Sequence, residues 1–317
     1  MGLVPSLYDN SLRLLSSNGS WRDAWRFKTE VAPSKEEPIL DNVVIKTIKY
    51  HHSLQDRYFE FSRVDALAME RLTAHPYVMN VHGFCGVSVT TERGADDIAR
   101  LVSHLSPRNK LDLARKVSKS IAAVHEIDGR DKPATLVHND INVSNFFWGR
   151  NNAPLLNDFN IAVLMMKNKR TNKSCPFPGH FPNPQWKSPE EQAGPDGTSI
   201  GQLNEKVDIY ALGNLLFRFA TGMGPWRDVA SDKEAKLTDE QKKHIAHLKV
   251  DEGKMPKVPE KISKLKDPYI NVLLKAMEWC YQPNMEERPT ARQVAEFLEK
   301  SREEVDENLF EFGRLHK

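Results

Sequence analysis

The sequence contains LVHNDINVSN at residues 136–145, followed closely by LNDFN at residues 156–160. The first stretch has the spacing H-x-D-x-x-x-x-N, and in the second the pair D-F follows an apolar stretch. Asp140 is a candidate general base, because a loop carboxylate can accept or orient a hydroxyl proton. Asn145 and Asp158 offer the oxygen ligands that Mg²⁺ requires. Together the two stretches predict a catalytic loop and a metal-binding strand end.

Length, composition and charge narrow the class of protein. With 317 residues and 39% hydrophobic content, the chain is long enough for one large domain or two closely joined ones. The formal net charge is only +2, so we expect no nucleic-acid partner. The three cysteines lack metal-site spacing and are expected to be reduced thiols of a cytoplasmic protein. No apolar run reaches the roughly 18 to 20 residues of a membrane helix.

The first six residues, MGLVPS, fit the loose acylation pattern M-G-x-x-x-[ST], with Gly2 as the acceptor. The alternative is an ordinary start to the chain. A single myristoyl group anchors a protein only marginally. The cytoplasm is therefore the predicted location, and membrane association through Gly2 is the alternative.

Hydrophobic patterning predicts an α+β fold with two lobes. The first part of the chain predicts strands and a single helix, with strands at 43–48, 78–81 and 87–91 and the helix at 55–73. The remainder predicts a charged surface excursion at 226–262 and helices at 110–125, 204–221, 268–281 and 289–300. We expect a small β-rich N-lobe at 13–91, a hinge at 92–95 and a larger, mainly helical C-lobe at 96–300, flanked by tails at 1–12 and 301–317.

Lys46 is the candidate cation for a phosphate, because it closes the buried strand pattern V-V-I-K; Lys49 is the weaker alternative. The segment at 17–25 is expected to approach the phosphates, although only Gly19 supplies the glycine that lets backbone N–H groups come close. Arg22 either adds charge toward the phosphates or lies on the outer surface.

Three further motifs accompany the catalytic loop: WKSPE at 186–190, KVDIYALG at 206–213 and ERPT at 287–290. With them the chain resembles the eukaryotic protein kinase family over residues 13–300, in a divergent form that leans toward the tyrosine-kinase-like and tyrosine-kinase groups. The resemblance implies an ion pair between Glu190 and Arg288, and it implies that Asp208 caps the backbone of the catalytic loop.

The resemblance also implies ATP and Mg²⁺ as cofactors and a protein as substrate, with no prediction for the oligomeric state. It assigns the catalytic roles to Asp140, Lys46 and Asn142, and it assigns Asn145 and Asp158 as metal ligands. Asp65 takes the place of the helix glutamate that pairs with the strand lysine, with Glu70 as the alternative. The residues expected around ATP are Gly19, Ala24, Val44, Lys46, Asp65, Thr91, Glu92 and Phe147.

Several departures from the family pattern bear on activity. Asn139 replaces an arginine, which makes the chain a non-RD kinase by pattern, and Asn142 replaces a basic residue. Asn160 replaces the glycine of D-F-G, at a position expected to need unusual backbone angles. Two hypotheses follow: an active Mg²⁺-dependent protein kinase, acting on Ser or Thr rather than Tyr, and a pseudokinase that acts as a binding or scaffolding module.

Overall fold

A computed structural model of the chain describes residues 12–17, 19–30, 40–96, 98–149, 152–172, 175–179, 183–192, 202–229 and 237–315. The chain divides into two compact units, the first formed by Met1–Asp96 with Phe147–Ala162 and the second by the remaining residues. The acylation pattern at Gly2 and nearly all of the expected N-terminal tail lie outside the described residues.

The first unit is built on a five-stranded antiparallel sheet. Its strands are β1 (Leu12–Ser16), β2 (Arg22–Glu30), β3 (Leu40–Ile48), β4 (Val81–Cys85) and β5 (Ser88–Glu92), in the order β1-β2-β3-β5-β4. One helix, α1 (Asp56–Arg71), accompanies the sheet and buries Val64, Ala68 and Met69. In the residues that the structure describes, this unit is therefore β-rich with a single helix, as the patterning predicts.

The strand predicted at 78–81 is displaced, because β4 begins only at Val81. The residues before it run beside a different segment. Val78 forms a parallel bridge with Leu156, and the Met79 N–H donates to the Leu156 carbonyl at 2.9 Å. Backbone pairing with a segment distant in sequence has overridden the local β-propensity at 78–80.

The second unit is mainly helical. Its short strands are β6 (Leu136–Val137) and β9 (Val163–Leu164), which pair with each other. Between them in sequence, β7 (Phe146–Trp148) pairs with β8 (Pro154–Leu156), and this pair falls mostly in the first unit. The helices of the second unit are α2 (Ile98–Leu101), α3 (Pro107–His125), α4 (Lys206–Thr221), α5 (Asp239–Val250), α6 (Glu260–Ser263), α7 (Pro268–Cys280) and α8 (Ala291–Leu315).

Helices α3 and α4 form the centre of the second unit. Helix α3 begins with Pro107, and the Ser106 side chain accepts the Asn109 N–H at 3.3 Å, which satisfies one of the unpaired donors of the first turn. The predicted apolar face of α3 is fully buried, and α4 is buried on nearly every side. A helix that is apolar all round is stable only inside a core.

Two segments expected at the surface are helical in the structure. The tail expected from Ser301 is the second half of α8, which lies along α3, where Arg302 and Asp112 approach to 3.0 Å. Within the charged excursion expected at 226–262, Ile245 of α5 is buried against Trp226 and Leu237. Helix α5 buries Ile245 and Lys249, whereas residues 301–311 of α8 are half-buried or exposed and meet α3 through charged side chains.

The first unit is built on an antiparallel sheet and the second is mainly helical, as the α+β prediction requires. The units divide after Asp96 and place residues 147–162 with the sheet. The lobe, hinge and tail boundaries given above remain predictions. None of the helices in the described part of the chain combines the length and apolar content needed to span a bilayer.

Gly213→Ala is expected to destabilise the second unit by about 1–3 kcal/mol through overpacking. A Cβ at Gly213 would lie 3.0 Å from Tyr281 Cε1 and 3.2 Å from Cys280 Cβ. Urea unfolding measures the change. Gly224→Ala is the control, because its Cβ meets Trp186 at an ordinary 3.4 Å. Equal stability of the two variants would contradict the close packing of α4 on α7.

Candidate functional site

The sheet of the first unit brings together most residues predicted to surround ATP. Ala24 of β2 faces Lys46 of β3 in the antiparallel register, and Val44 faces Thr91 of β5. Glu92 follows Thr91 at the end of the same strand. These residues therefore occupy neighbouring rungs of three adjacent strands, as a single binding surface requires.

Two further predicted contacts depend on close backbone approach. A Cβ at Gly19 would lie 2.9 Å from the Arg22 carbonyl oxygen, so the turn before β2 tolerates no larger residue without a shift. A Cβ at Gly94 would lie 2.4 Å from the Cβ of Phe147. Phe147 thus lies directly against the segment predicted to be the hinge.

Lys46 has a different partner from the one expected. Its ammonium group donates to Asn157 Oδ1 at 3.0 Å and lies 3.7 Å from Asp158 Oδ1. Aspartate is one methylene shorter than glutamate, which left open that its ion pair with Lys46 is loose or absent, and Lys46 and Asp65 are not paired here. The reason is that another cation, Arg22, already occupies the carboxylate of Asp65.

Arg22 bridges two carboxylates. Its guanidinium donates to Asp65 Oδ2 at 2.7 Å and to Asp158 Oδ1 at 2.8 Å. The side chain of Arg22 is only 7% exposed and that of Asp65 is 0% exposed. Of the two sequence interpretations of Arg22, an outer-surface position is excluded by this burial. Asp65 is also the buried acid of α1, whereas Glu70 is exposed.

The environment of Arg22 holds it in the charged form. Burial by itself would lower the pKa of Arg22, but the carboxylates of Asp65 and Asp158 outweigh burial and raise it. The guanidinium also lies 4.5 Å from the centre of the Trp21 ring, which stacks on Tyr58 of α1 at 5.1 Å. The segment after Gly19 is thus tied to α1 by an aromatic contact and an ion pair.

The catalytic loop belongs to the second unit and is held by Asp208. The carboxylate of Asp208 accepts the backbone N–H groups of His138 and Asn139, each at 2.8 Å, and contacts His125 Nε2 at 3.0 Å. Burial by itself would raise the pKa of Asp208, but the hydrogen bond and charge of His125, with the charge of His138, lower it. This is the capping that the family resemblance implies.

Two of the predicted polar residues of the loop, Asn142 and Asn145, converge on Asp140. The Asn145 side-chain amide donates to the Asp140 carbonyl at 2.8 Å and to its Oδ2 at 3.0 Å. The Asn142 amide donates to the same carbonyl at 3.1 Å and accepts the Ser144 N–H at 2.9 Å. The loop therefore orients the Asp140 carboxylate from its own side chains.

Two residues of the loop and strand end adopt left-handed backbone angles, Asn139 with φ 64° and Asp158 with φ 68°. The prediction of unusual backbone angles at Asn160 is therefore wrong. The positive φ lies two residues earlier, at Asp158. Asparagine and aspartate tolerate this region better than other residues with a Cβ. The replacement of glycine by Asn160 thus carries no φ penalty.

Sequence reasoning assigned no role to two lysines that brace the catalytic loop. Lys187 donates to the Asn139 carbonyl at 2.8 Å and lies 3.2 Å from Glu191. Lys249 of α5 donates in turn to the Lys187 carbonyl at 2.8 Å. Lys187 lies within the WKSPE motif, but Lys249 comes from the segment predicted to be a surface excursion, so no local signal marked it.

Lys249 is fully buried below two aromatic rings. Its ammonium lies 4.9 Å from the centre of the Tyr210 ring and 5.6 Å from that of Trp226. Burial lowers the pKa of Lys249 to about 7, against a partial opposing effect of Glu191 and Glu190. A lysine in such a site loses its proton within the physiological pH range.

The ion pair between Glu190 and Arg288 is also present. The guanidinium of Arg288 donates to both carboxylate oxygens of Glu190, at 2.6 Å and 2.8 Å. A bidentate pair of this kind fixes orientation as well as distance. It joins the end of the WKSPE motif to the ERPT motif, as the resemblance implies.

The two predicted metal ligands differ in how well they suit Mg²⁺. Asn145 uses its amide nitrogen toward Asp140 and has a side-chain oxygen of the kind that Mg²⁺ takes. Asp158 Oδ1, however, already receives the Arg22 guanidinium and lies close to Lys46. Asp158 therefore does not fit a divalent ion while Arg22 is in place. In the described ranges no group of three or more His, Cys, Asp or Glu residues is arranged to hold a metal.

Residues 30–297 match the family described as Protein kinase domain. The match covers most of the chain and includes β3 to β5, the catalytic loop and the late motifs described above, whereas β1 and all of β2 except Glu30 precede it. The chain belongs to the protein kinase domain family.

Curated relatives are also protein kinases. The chain is 23% identical over 256 residues to a probable serine/threonine-protein kinase of Dictyostelium discoideum, covering 76% of this chain and 13% of that protein. It is 25% identical over 277 residues to serine/threonine-protein kinase pkpA of Phycomyces blakesleeanus, covering 84% and 38%. It is 31% identical over 130 residues to proline-rich receptor-like protein kinase PERK7 of Arabidopsis thaliana, covering 41% and 16%. The chain thus spans well under half the length of these relatives.

Asp208→Ala is expected to lower the free energy of unfolding of the second unit by about 2–4 kcal/mol, because two buried backbone donors lose their acceptor. Urea unfolding measures the loss. Asp239→Ala is the matched control, since the Asp239 side chain is 89% exposed. A variant that unfolds like the control would show that Asp208 does not hold the loop.

Lys249→Met is expected to flatten the pH dependence of stability. The pKa of Lys249 is about 7 in the folded chain against an ordinary value of 10.5. Between these values the unfolded chain binds the proton and the folded chain does not, so wild-type stability rises with pH across this window.

The expected gain of the wild type over Lys249→Met between pH 7 and pH 9 is on the order of 2 kcal/mol. Chemical unfolding at each pH measures it. Lys254→Met, at an exposed lysine, is the control and should keep the wild-type slope. Parallel pH profiles for wild type and Lys249→Met would contradict the depressed pKa.

Proposed function

We propose that this chain is an ATP-dependent protein kinase domain that transfers the γ-phosphate to a protein hydroxyl, on serine or threonine rather than tyrosine. The observation that carries the proposal is the loop at 138–145, in which Asp208 fixes the backbone and Asn145 orients the carboxylate of Asp140. Membership of the protein kinase domain family and the serine/threonine kinases among its relatives support it.

In this mechanism Asp140 accepts or orients the proton of the attacking hydroxyl. Its carboxylate is held by Asn145, and its backbone carbonyl receives both Asn142 and Asn145. Asn142 keeps the loop in shape through Ser144, so its contribution is positioning rather than charge. Positioning of this kind accounts for much of the rate in phosphoryl transfer.

The proposed ATP surface is formed by Ala24, Val44 and Thr91 on adjacent strands, with Glu92, Phe147 and Gly19 at its borders. Lys46 is the proposed phosphate cation, positioned by Asn157. The family resemblance predicts a Mg²⁺ requirement. Because Asp158 does not fit a divalent ion beside Arg22, the proposed mechanism contains no step that depends on a metal ion.

The proposal also covers the substrate, the location and the extent of the domain. A protein kinase acts on a protein, and we propose the cytoplasm as its location and residues 13–300 as the kinase domain. The second unit contains a cavity of about 350 Å³ beside the catalytic loop, lined in part by Asp140, Asn142, Trp186 and Arg218, and we propose that the substrate approaches Asp140 there.

A second candidate function is a non-catalytic binding or scaffolding module. The observation in its favour is the Arg22 guanidinium, which occupies both Asp65 and Asp158. The family resemblance assigns these carboxylates to the nucleotide and the metal. A chain that folds and binds a partner but transfers no phosphate would be of this kind.

Asp140→Asn is expected to reduce phosphotransfer by about 100-fold or more, because the amide cannot accept the hydroxyl proton. Radiolabelled phosphate transfer to peptides that differ only in a Ser, Thr or Tyr acceptor measures activity and hydroxyl preference together. Asp239→Asn, at an exposed surface position, is the control. A folded wild type that transfers no phosphate would favour the binding module, and an active Asp140→Asn would remove Asp140 from its proposed role.

A further inference from the structure

The charged groups around Asp158 balance without any added ion. Arg22 and Lys46 supply two positive charges, and Asp65 and Asp158 supply two negative charges. Arg22 lies within hydrogen-bond distance of both carboxylates, and Lys46 lies 3.7 Å from Asp158. A divalent ion at Asp158 would therefore enter a cluster that is already neutral.

Buried neighbours hold Arg22 in this position. Asp65, its second partner, accepts the Phe159 N–H at 2.8 Å and is itself fully buried. The neighbouring Trp21 is 5% exposed and packs against Tyr58 and Phe61 of α1. A planar guanidinium suits two carboxylates at once, because its donors form a rigid fork.

We propose that Arg22 is a resident cation that excludes a divalent ion from Asp158, and that the first unit binds ATP without a requirement for Mg²⁺. The ATP part rests on the nucleotide binding given under the proposed function. Mg²⁺ binds through one or two carboxylates in near-octahedral geometry and keeps several of its waters, whereas Asp158 Oδ1 accepts the Arg22 guanidinium at 2.8 Å. Like charges also repel strongly at short range when they are removed from water.

The same cluster supplies cations for the phosphates. Lys46 and Arg22 both lie at Asp158, where the resemblance places a metal-bound triphosphate. The cluster as a whole is neutral, so it does not neutralise ATP, but the N–H groups of Lys46 and Arg22 can donate to the phosphate oxygens of metal-free ATP, as arginine and lysine do at phosphate sites in general. Removing Arg22 leaves one cation for two carboxylates and should restore an attractive site for a divalent ion.

The first experiment measures binding of Mn²⁺ alone, by electron paramagnetic resonance of the free ion. Wild type and the control Arg13→Gln, at an exposed arginine of β1, should bind Mn²⁺ no more tightly than Asp158→Asn. Arg22→Gln should bind it about tenfold more tightly or better, and Arg22→Lys, which keeps the charge, should resemble wild type. If Arg22→Gln does not fold, the double variant Arg22→Gln/Asp65→Asn replaces it, because it leaves no buried unpaired charge.

Mn²⁺ binding to the wild type that is lost in Asp158→Asn and unchanged in Arg22→Gln would overturn the proposal. So would a folded Arg22→Gln, or the double variant, that binds Mn²⁺ no better than wild type. These outcomes do not depend on ATP.

The second experiment measures ATP affinity by calorimetry with EDTA and with Mg²⁺. The wild-type affinities should agree within about threefold, whereas Mg²⁺ should strengthen binding to Arg22→Gln by about tenfold. A wild type that binds ATP only with Mg²⁺ would overturn the metal-free part. Absence of ATP binding in every variant would instead refute the nucleotide site of the proposed function, and the Mn²⁺ result would still decide the role of Arg22.

Discussion

The catalytic loop depends on one buried carboxylate, that of Asp208. Two consecutive backbone N–H groups, from His138 and Asn139, point at it, and Asn139 adopts a left-handed backbone angle that a residue with a Cβ does not favour. Such a turn persists only when its donors are satisfied from outside. The orientation of Asp140 therefore follows from α4, a helix far away in the sequence.

In the first unit, a buried cation pairs with two carboxylates. Asp65 and Asp158 come from different elements, and the single guanidinium of Arg22 satisfies one oxygen of each. A buried carboxylate is costly unless it is paired and hydrogen-bonded. The pairing stabilises α1 against the strand end, and it removes the negative charge that would attract a metal. Stability and metal binding thus compete for the same two carboxylates.

Local patterns predicted the elements well where one face of a helix or strand is buried. The apolar spacing of α3, the uniformly apolar α4 and the strand at Lys46 all lie where the sequence indicates. The resemblance to the protein kinase family likewise anticipated the contacts of Asp208 and the pair of Glu190 with Arg288. Errors arose where a charged segment packs one face, as in α5, and where strand pairing with distant residues displaced β4.

The sequence by itself determined the class of fold, and it predicted the loop at 138–145 with Asp140 as its acid, because these depend on short spacings and on hydrophobic periodicity. Only the tertiary structure decided which cation meets which carboxylate. Lys46 and Arg22 lie on adjacent antiparallel strands, and both are within reach of Asp158. Distances of a few tenths of a nanometre between elements that are remote in sequence settle that choice, and no local pattern encodes them.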